Sequence, residues 1–217
     1  MPELIHGIDP DEVRRRLDSV REEAGEGVRV LVATKYLPDD ELPALADAGV
    51  DLVGENRLSE LERKHERFGE LFEWHFIGGL QSRKVKGILP LVSLIHSVGS
   101  ESALEQLNKR GDAGTRILIQ VNVAGEDAKE GIEPEELGDF IARSEVEVAG
   151  LATMPPFAEN PEDSRRHFAR LAELASEHGL GELSMGTSQD WRVAVSEGAT
   201  IIRLGSVLLR GDSGHNP

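Results

Sequence analysis

Val28-Arg29-Val30-Leu31-Val32-Ala33-Thr34-Lys35 is an apolar, β-branched run closed by a lysine, and Pro38-Asp39-Asp40-Glu41 behind it carries helix-start chemistry. A run of this kind, bounded by a polar turn, reads as a strand buried on both faces, the form parallel strands take in α/β proteins. Lys35 then stands at a strand's carboxyl end. Two readings of it are open. It is either an amine reaching into the site that parallel folds build above their strands, where partial desolvation makes it a nucleophile toward an aldehyde, or a solvated loop lysine.

Working outward, the same unit recurs. Before the run, Asp9-Pro10-Asp11-Glu12 supplies a cap, a first-turn proline and first-turn acids for an amphipathic helix with Val13, Leu17, Val20 and Ala24 on one face. After it, further strands are predicted over 51–56, 74–78, 93–98, 115–123, 146–154, 182–188 and 200–205, with helical patterns between them. Ser100 caps one of these helices and Asn160-Pro161 opens another. Eight strands alternating with helices fit a single-domain (β/α)8 TIM-like barrel with an extra N-terminal helix, spanning 1–210 and followed by a flexible tail over 211–217. No G-x-G-x-x-G follows the first strand, which weakens an open dinucleotide-binding sheet. In a barrel, Lys35, Asn56, Gly78, Ser97, Asn122, Met154, Ser188 and Gly205 encircle one mouth.

Composition narrows the function. The formal charge of -16 argues against sequence-blind binding to nucleic acid, which depends on cations at phosphates. No apolar run is long enough to span a membrane, and no basic-then-apolar leader opens the sequence. Zero cysteines exclude thiolate nucleophiles, disulfides and thiolate metal sites, and suit a cytoplasmic protein. His75 and His96 fall in separate strands without metal-ligand spacing, so they read as satisfied core histidines and no metal is expected.

Met185-Gly186-Thr187-Ser188 and Leu204-Gly205-Ser206 end the last two strands, where barrels hold phosphate on glycine-exposed backbone N–H groups. Ser188 also reads as a plain N-cap for the helix at Trp191, and Gly205 as a residue that merely permits a tight turn. Arg203, among apolar strand residues, needs an acceptor inside the wall. A strand-end lysine, an anion cup and an inward arginine together match the handles of pyridoxal 5′-phosphate (PLP): aldehyde, phosphate and pyridine nitrogen.

The segments Ala33-Thr34-Lys35, Gly54-Glu55-Asn56, Trp74-His75-Phe76-Ile77-Gly78, Leu80-Gln81-Ser82-Arg83-Lys84, Ser184-Met185-Gly186-Thr187-Ser188 and Arg203-Leu204-Gly205-Ser206 resemble the pyridoxal phosphate homeostasis proteins, single-domain relatives of the alanine racemase barrel. The resemblance implies Lys35 as the Schiff-base lysine, Arg203 at the pyridine nitrogen, Ser188, Gly205 and Ser206 at the phosphate, and Asn56 lining the ring pocket. It implies a monomer that handles PLP and has PLP-dependent apo-enzymes as recipients. Tyr36-Leu37, Gly79 and Arg83 depart from the family pattern, and Lys129 and Lys84 are candidate auxiliary lysines.

Racemisation needs bases on both faces of the cofactor adduct. The one tyrosine, Tyr36, is expected to point away from Lys35 because successive strand residues alternate. A carrier or regulator of PLP is therefore the first reading. A PLP-dependent amino-acid racemase or related enzyme is the second, and a barrel for another phosphorylated metabolite the third.

Overall fold

The computed structural model describes residues 4–125 and 131–210. Its eight strands form a closed parallel barrel in sequence order: β1 (Arg29–Ala33), β2 (Leu52–Glu55), β3 (Glu73–Phe76), β4 (Leu94–Val98), β5 (Arg116–Gln120), β6 (Glu147–Ala152), β7 (Glu182–Thr187) and β8 (Ile201–Leu204). Closure is direct, since Leu31 of β1 pairs with Arg203 of β8 and Val32 with Leu204. The expected fold class is observed.

Among the described residues, helices α1 (Pro10–Ala24), α2 (Leu42–Asp47), α3 (Leu58–Phe68), α4 (Val85–Ile88), α5 (Glu101–Arg110), α6 (Leu137–Ala142), α7 (Arg165–Glu177), α8 (Trp191–Ser196) and α9 (Ser206–Leu209) surround the strands. The start signals act as read: Asp9 accepts a hydrogen bond from the Asp11 N–H, Pro10 is the first helical residue of α1, and Ser100 accepts from the Ala103 N–H to open α5. Val13, Leu17, Val20 and Ala24 of α1 are buried, so this additional helix packs its apolar stripe on the barrel's outer layer.

Two apolar layers result. A large outer core lies between strands and helices, while Leu31, Leu52, Leu94, Leu118, Ala152 and Ile201 fill the barrel's interior. Inward positions above that plug are polar, and they carry the chemistry discussed below. At the amino end of the strands, Arg29 pairs with Glu73, and Arg116 bridges Glu147 and Glu182.

Most strands are a residue or two shorter than expected at their ends, and two of these differences bear on the site. The fifth strand stops at Gln120, three residues early, because the backbone beyond it turns to meet the returning chain: the Ile132 N–H donates to the Gln120 carbonyl and the Asn122 N–H to the Ile132 carbonyl. The first strand ends at Ala33, and a turn closed by the Leu37 N–H on the Thr34 carbonyl follows. Strand alternation therefore stops before Lys35 and Tyr36. Lys129 and the tail expected over 211–217 lie outside the described residues.

Candidate functional site

The sequence-predicted residues assemble on one sector of the barrel's carboxyl end. Ser188 follows β7, Gly205 and Ser206 follow β8, Lys35 follows β1 and Asn56 follows β2, on four consecutive strands of the closed sheet. Contacts across these ends are close. A Cβ added at Gly205 would sit 3.8 Å from the Ala33 carbonyl oxygen, so the β8 turn lies against the end of β1. The Thr34 N–H donates to the Gly54 carbonyl, joining β1 to β2 just below Lys35 and Asn56.

Ser188 is not the cap of α8, which corrects one of its two readings. Its hydroxyl oxygen accepts from the backbone N–H of Gly205 at 3.1 Å and of Val207 at 3.5 Å. Asp190 takes the N-cap position instead, and its carboxylate accepts from the Thr187 N–H and hydroxyl and from the Ser164 hydroxyl. The β7 end is bulged: Ser184 pairs with Ile201 and Thr187 with Arg203, so an extra residue is accommodated on β7. Gly186 makes this possible with φ of +89°, and a Cβ there would meet the Ala194 Cβ at 2.6 Å. The bulge aims the 187–188 peptide toward the β8 turn.

Arg203 points into the barrel and is 8% exposed. One terminal nitrogen donates to the Ser184 carbonyl at 2.8 Å and to its hydroxyl oxygen at 2.6 Å, and the other donates to the Thr153 carbonyl at 2.8 Å. The acceptor requirement read from the sequence is met. Burial pushes its pKa down to about 10, which leaves it charged at neutral pH. A guanidinium has five N–H groups; among the described residues, those at Nε and the second one on Nη2 have no bonded partner.

Lys35 is exposed, against the expected partial desolvation, because it stands on a turn beyond the strand. Its amine lies 4.8 Å from the Tyr36 ring centroid. The Tyr36 ring itself packs against the outer core between strands and helices, so it points away from the barrel interior as expected, and the Lys35 amine folds back over it. Asn56 and Ser188 are half-buried and Ser206 is exposed. Lys84 sits in a short turn of helix ahead of α4. Among the described residues there is no group of three or more His, Asp or Glu that could hold a metal ion.

The chain's similarity to known proteins runs along nearly its whole length. The alanine racemase N-terminal domain model matches residues 8–212. A pyridoxal phosphate homeostasis protein of Aquifex aeolicus is 40% identical, over 90% of this chain and 93% of that one. The chain belongs to the pyridoxal phosphate homeostasis protein family. A second relative of that name, from Pseudomonas aeruginosa, is 34% identical and the match covers 83% of each. The solved structure of PipY of Synechococcus elongatus with PLP bound superposes with a TM-score of 0.80 at 30% identity, covering 91% of this chain and 99% of PipY. Alanine racemase of Corynebacterium glutamicum shares the fold at a TM-score of 0.72 and 18% identity, with 63% of its chain covered.

Two groups in this family member escape a reading of the sequence. Lys64 and Glu55 form an ion pair at 2.5 Å with both side chains 0% exposed. Lys64 also donates to the Thr34 carbonyl at 2.8 Å, and the Thr34 hydroxyl donates to Glu55 at 2.7 Å. The pair thus pins the peptide immediately before Lys35. The second group is the contact between His75 and His96, whose ring nitrogens lie 2.8 Å apart. Its signal was available: Leu52, Gly54, His75, Ser184 and Arg203 share the inward parity set by register.

Removing one partner of a buried pair strands the other charge, at a cost of about 3–5 kcal/mol. Lys64→Met is expected to lose that much stability in urea unfolding, and Lys64→Met with Glu55→Leu to recover most of it. An unchanged midpoint in the single variant would show that Glu55 is not charged in the fold.

Burial, the main cause for each ring, holds the pKa of both His75 and His96 below the ordinary histidine value, that of His96 well below it. The unfolded rings titrate near 6.5, so below that pH the unfolded chain binds protons that the fold refuses. Stability is then fully present above about 6.5 and falls as pH drops, by about 1.4 kcal/mol per pH unit for each histidine. Urea midpoints measured between pH 7.5 and 5 check this, and the slope should be shallower in His96→Gln.

Proposed function

We propose that this chain binds pyridoxal 5′-phosphate and serves its homeostasis, holding and releasing the cofactor with Lys35, Asn56, Ser188, Arg203, Gly205 and Ser206. The observation that carries the reading is the convergence of a strand-end lysine, a braced set of backbone N–H groups and a buried guanidinium on four neighbouring strand ends. Similarity to relatives named for PLP homeostasis, and to PipY, whose structure has PLP bound, supports it.

The residues fit the group by their chemistry. An aldehyde needs an accessible amine, and Lys35 is exposed at the mouth. A dianionic phosphate needs N–H and O–H donors, and Ser188 with the turn at 205–207 gathers a hydroxyl and the Gly205 and Val207 N–H groups in one place, where these N–H groups bond the hydroxyl oxygen and an anion would take them over. A pyridine nitrogen is an acceptor, and among the described residues Arg203 keeps N–H groups at Nε and Nη2 without a partner. When bound, PLP supplies an electrophilic carbonyl carbon and an electron-withdrawing ring.

What the chain does with these groups favours keeping over converting. Lys35 makes the attachment, Ser188 holds the turn open toward an anion, and Asn56, its carbonyl packed against Gly78, lines the ring side. Arg203 presents a charged donor, not a carboxylate, to the ring nitrogen, so that nitrogen stays unprotonated and the ring draws electrons weakly. The Tyr36 ring packs against the outer core, where the Lys35 amine can fold over it, and does not face the barrel interior. These features speak against an efficient second base, and we take PLP-dependent apo-enzymes as the recipients of the released cofactor.

Borohydride reduction of the PLP-loaded protein should leave the pyridoxyl adduct on Lys35 by peptide mass mapping. Lys35→Ala should lose it while keeping its fold, and an adduct wholly on Lys84 or Lys129 would overturn the assignment. Ser188→Ala together with Ser206→Ala should weaken PLP more than unphosphorylated pyridoxal, by about 1.5–3 kcal/mol for each charge-assisted bond lost. Racemisation of L-alanine at about 1 per second or faster would replace the carrier reading with an enzyme.

A further inference from the structure

A continuous line of hydrogen bonds crosses the barrel's interior from its amino end to Arg203. Glu73, the first residue of β3, lies 2.9 Å from His75 Nε2; His75 Nδ1 lies 2.8 Å from His96 Nε2; and His96 Nδ1 lies 2.8 Å from the Ser184 hydroxyl. That hydroxyl oxygen accepts from Arg203 at 2.6 Å. His75, His96 and Ser184 are 0%, 2% and 0% exposed, so no solvent competes for these bonds. Glu73 is fixed in turn by Arg29 at 2.6 Å and by the Ser93 hydroxyl at 2.7 Å.

The two ends decide every proton between them. A guanidinium only donates and a carboxylate only accepts. The Glu73 carboxyl is held well below the usual carboxylate range by the His75 N–H, with Arg29 and Ser93 adding to it, so it is ionised. Burial keeps both rings neutral, although Glu73 and Glu182 oppose this at His75, and Arg203 and Arg29 reinforce it at His96. A neutral ring has one donor and one acceptor. His75 must then donate from Nε2 to Glu73 and accept at Nδ1. His96 must donate from Nε2 and accept at Nδ1, and Ser184 must donate to His96 while it accepts from Arg203. No other arrangement satisfies all four contacts.

We infer that Arg203–Ser184–His96–His75–Glu73 is a positioning relay, in which a carboxylate at the amino end of the barrel fixes the direction in which Arg203 presents its remaining N–H groups at the carboxyl end. The proton order is a property of the chain by itself; its effect on a ring nitrogen rests on the PLP reading. Without Glu73, His75 can turn its proton to Nδ1, His96 follows, and the Ser184 hydroxyl no longer has to point away from Arg203. The guanidinium then loses its single registered position.

Nitrogen-15 NMR of the histidine rings in the cofactor-free protein at neutral pH tests the order. Both rings should carry their proton on Nε2. Glu73→Ala should bring Nδ1-protonated signal to His75 and also to His96, whereas Glu73→Gln, whose amide oxygen still accepts, should keep the native pattern. An Nδ1 proton on either wild-type ring, or a His96 blind to Glu73→Ala, overturns the relay. With labelled PLP bound, Glu73→Ala and Ser184→Ala should move the pyridine nitrogen resonance in the same direction, and Glu73→Gln should leave it in place. A pyridine signal unmoved by both, with the ring tautomers as expected, reduces the line to core hydrogen bonding and overturns its positioning role. Failure of the wild-type protein to give a borohydride-trapped adduct overturns the cofactor reading instead, and the tautomers in the cofactor-free protein still decide the proton order.

Discussion

Burying Arg203 inside the barrel takes a charge out of water, and only acceptors held in fixed places offset that loss. They come from the Ser184 carbonyl and hydroxyl on β7 and from the Thr153 carbonyl just past β6. Those positions exist because β7 is bulged between Ser184 and Thr187, and the bulge exists because Gly186 takes a left-handed conformation against α8. The same bulge delivers Ser188 to the Gly205 and Val207 N–H groups. One desolvated guanidinium therefore ties the last three strands of the barrel into the geometry of its mouth.

On the neighbouring strands β1 and β2 a second desolvated charge acts in the same way. Lys64 reaches from α3 under the turn and holds the Thr34 carbonyl, while Glu55 of β2 holds the Thr34 hydroxyl. Lys35 itself stands exposed on a turn whose base is anchored to two strands and a helix.

The strands were legible because parallel strands buried on both faces are written as β-branched runs, and Val28–Lys35 or Arg116–Val121 can be little else. A guanidinium set among apolar strand residues also read Arg203 as inward, and it is. Reading failed where local pattern and tertiary bonding part company. Alternation was extended through Lys35 and Tyr36, although the chain had already turned at Thr34 to bond Leu37. Ser188 looks like a cap by spacing, yet its hydroxyl is used by another strand's turn. Lys64 lies three residues after Leu61 on the inward stripe of α3, a position where a charge is easily dismissed as a surface residue that happens to fit the period. The His75–His96 contact joins strands that are neighbours in the sheet, and it needed register as well as parity to be seen.

The direction of the interior hydrogen bonds bears on why such a barrel would hold a reactive cofactor quietly. Every donor in the line points from Arg203 toward Glu73, so no step along it carries a proton toward the mouth. In the proposed arrangement the donor beside the ring nitrogen is Arg203, and burial, which brings its pKa down only to about 10, leaves that guanidinium a far weaker acid than a protonated pyridine. In the proposed arrangement the ring nitrogen therefore accepts a hydrogen bond without gaining a proton, and the ring's pull on electrons at the attached carbon stays low. The same fold in a catalyst would have to restore that pull or supply a base strong enough to act without it. Here the carboxylate that could have protonated a ring is the half-exposed Glu73 at the far end of the barrel, engaged by His75, Arg29 and Ser93.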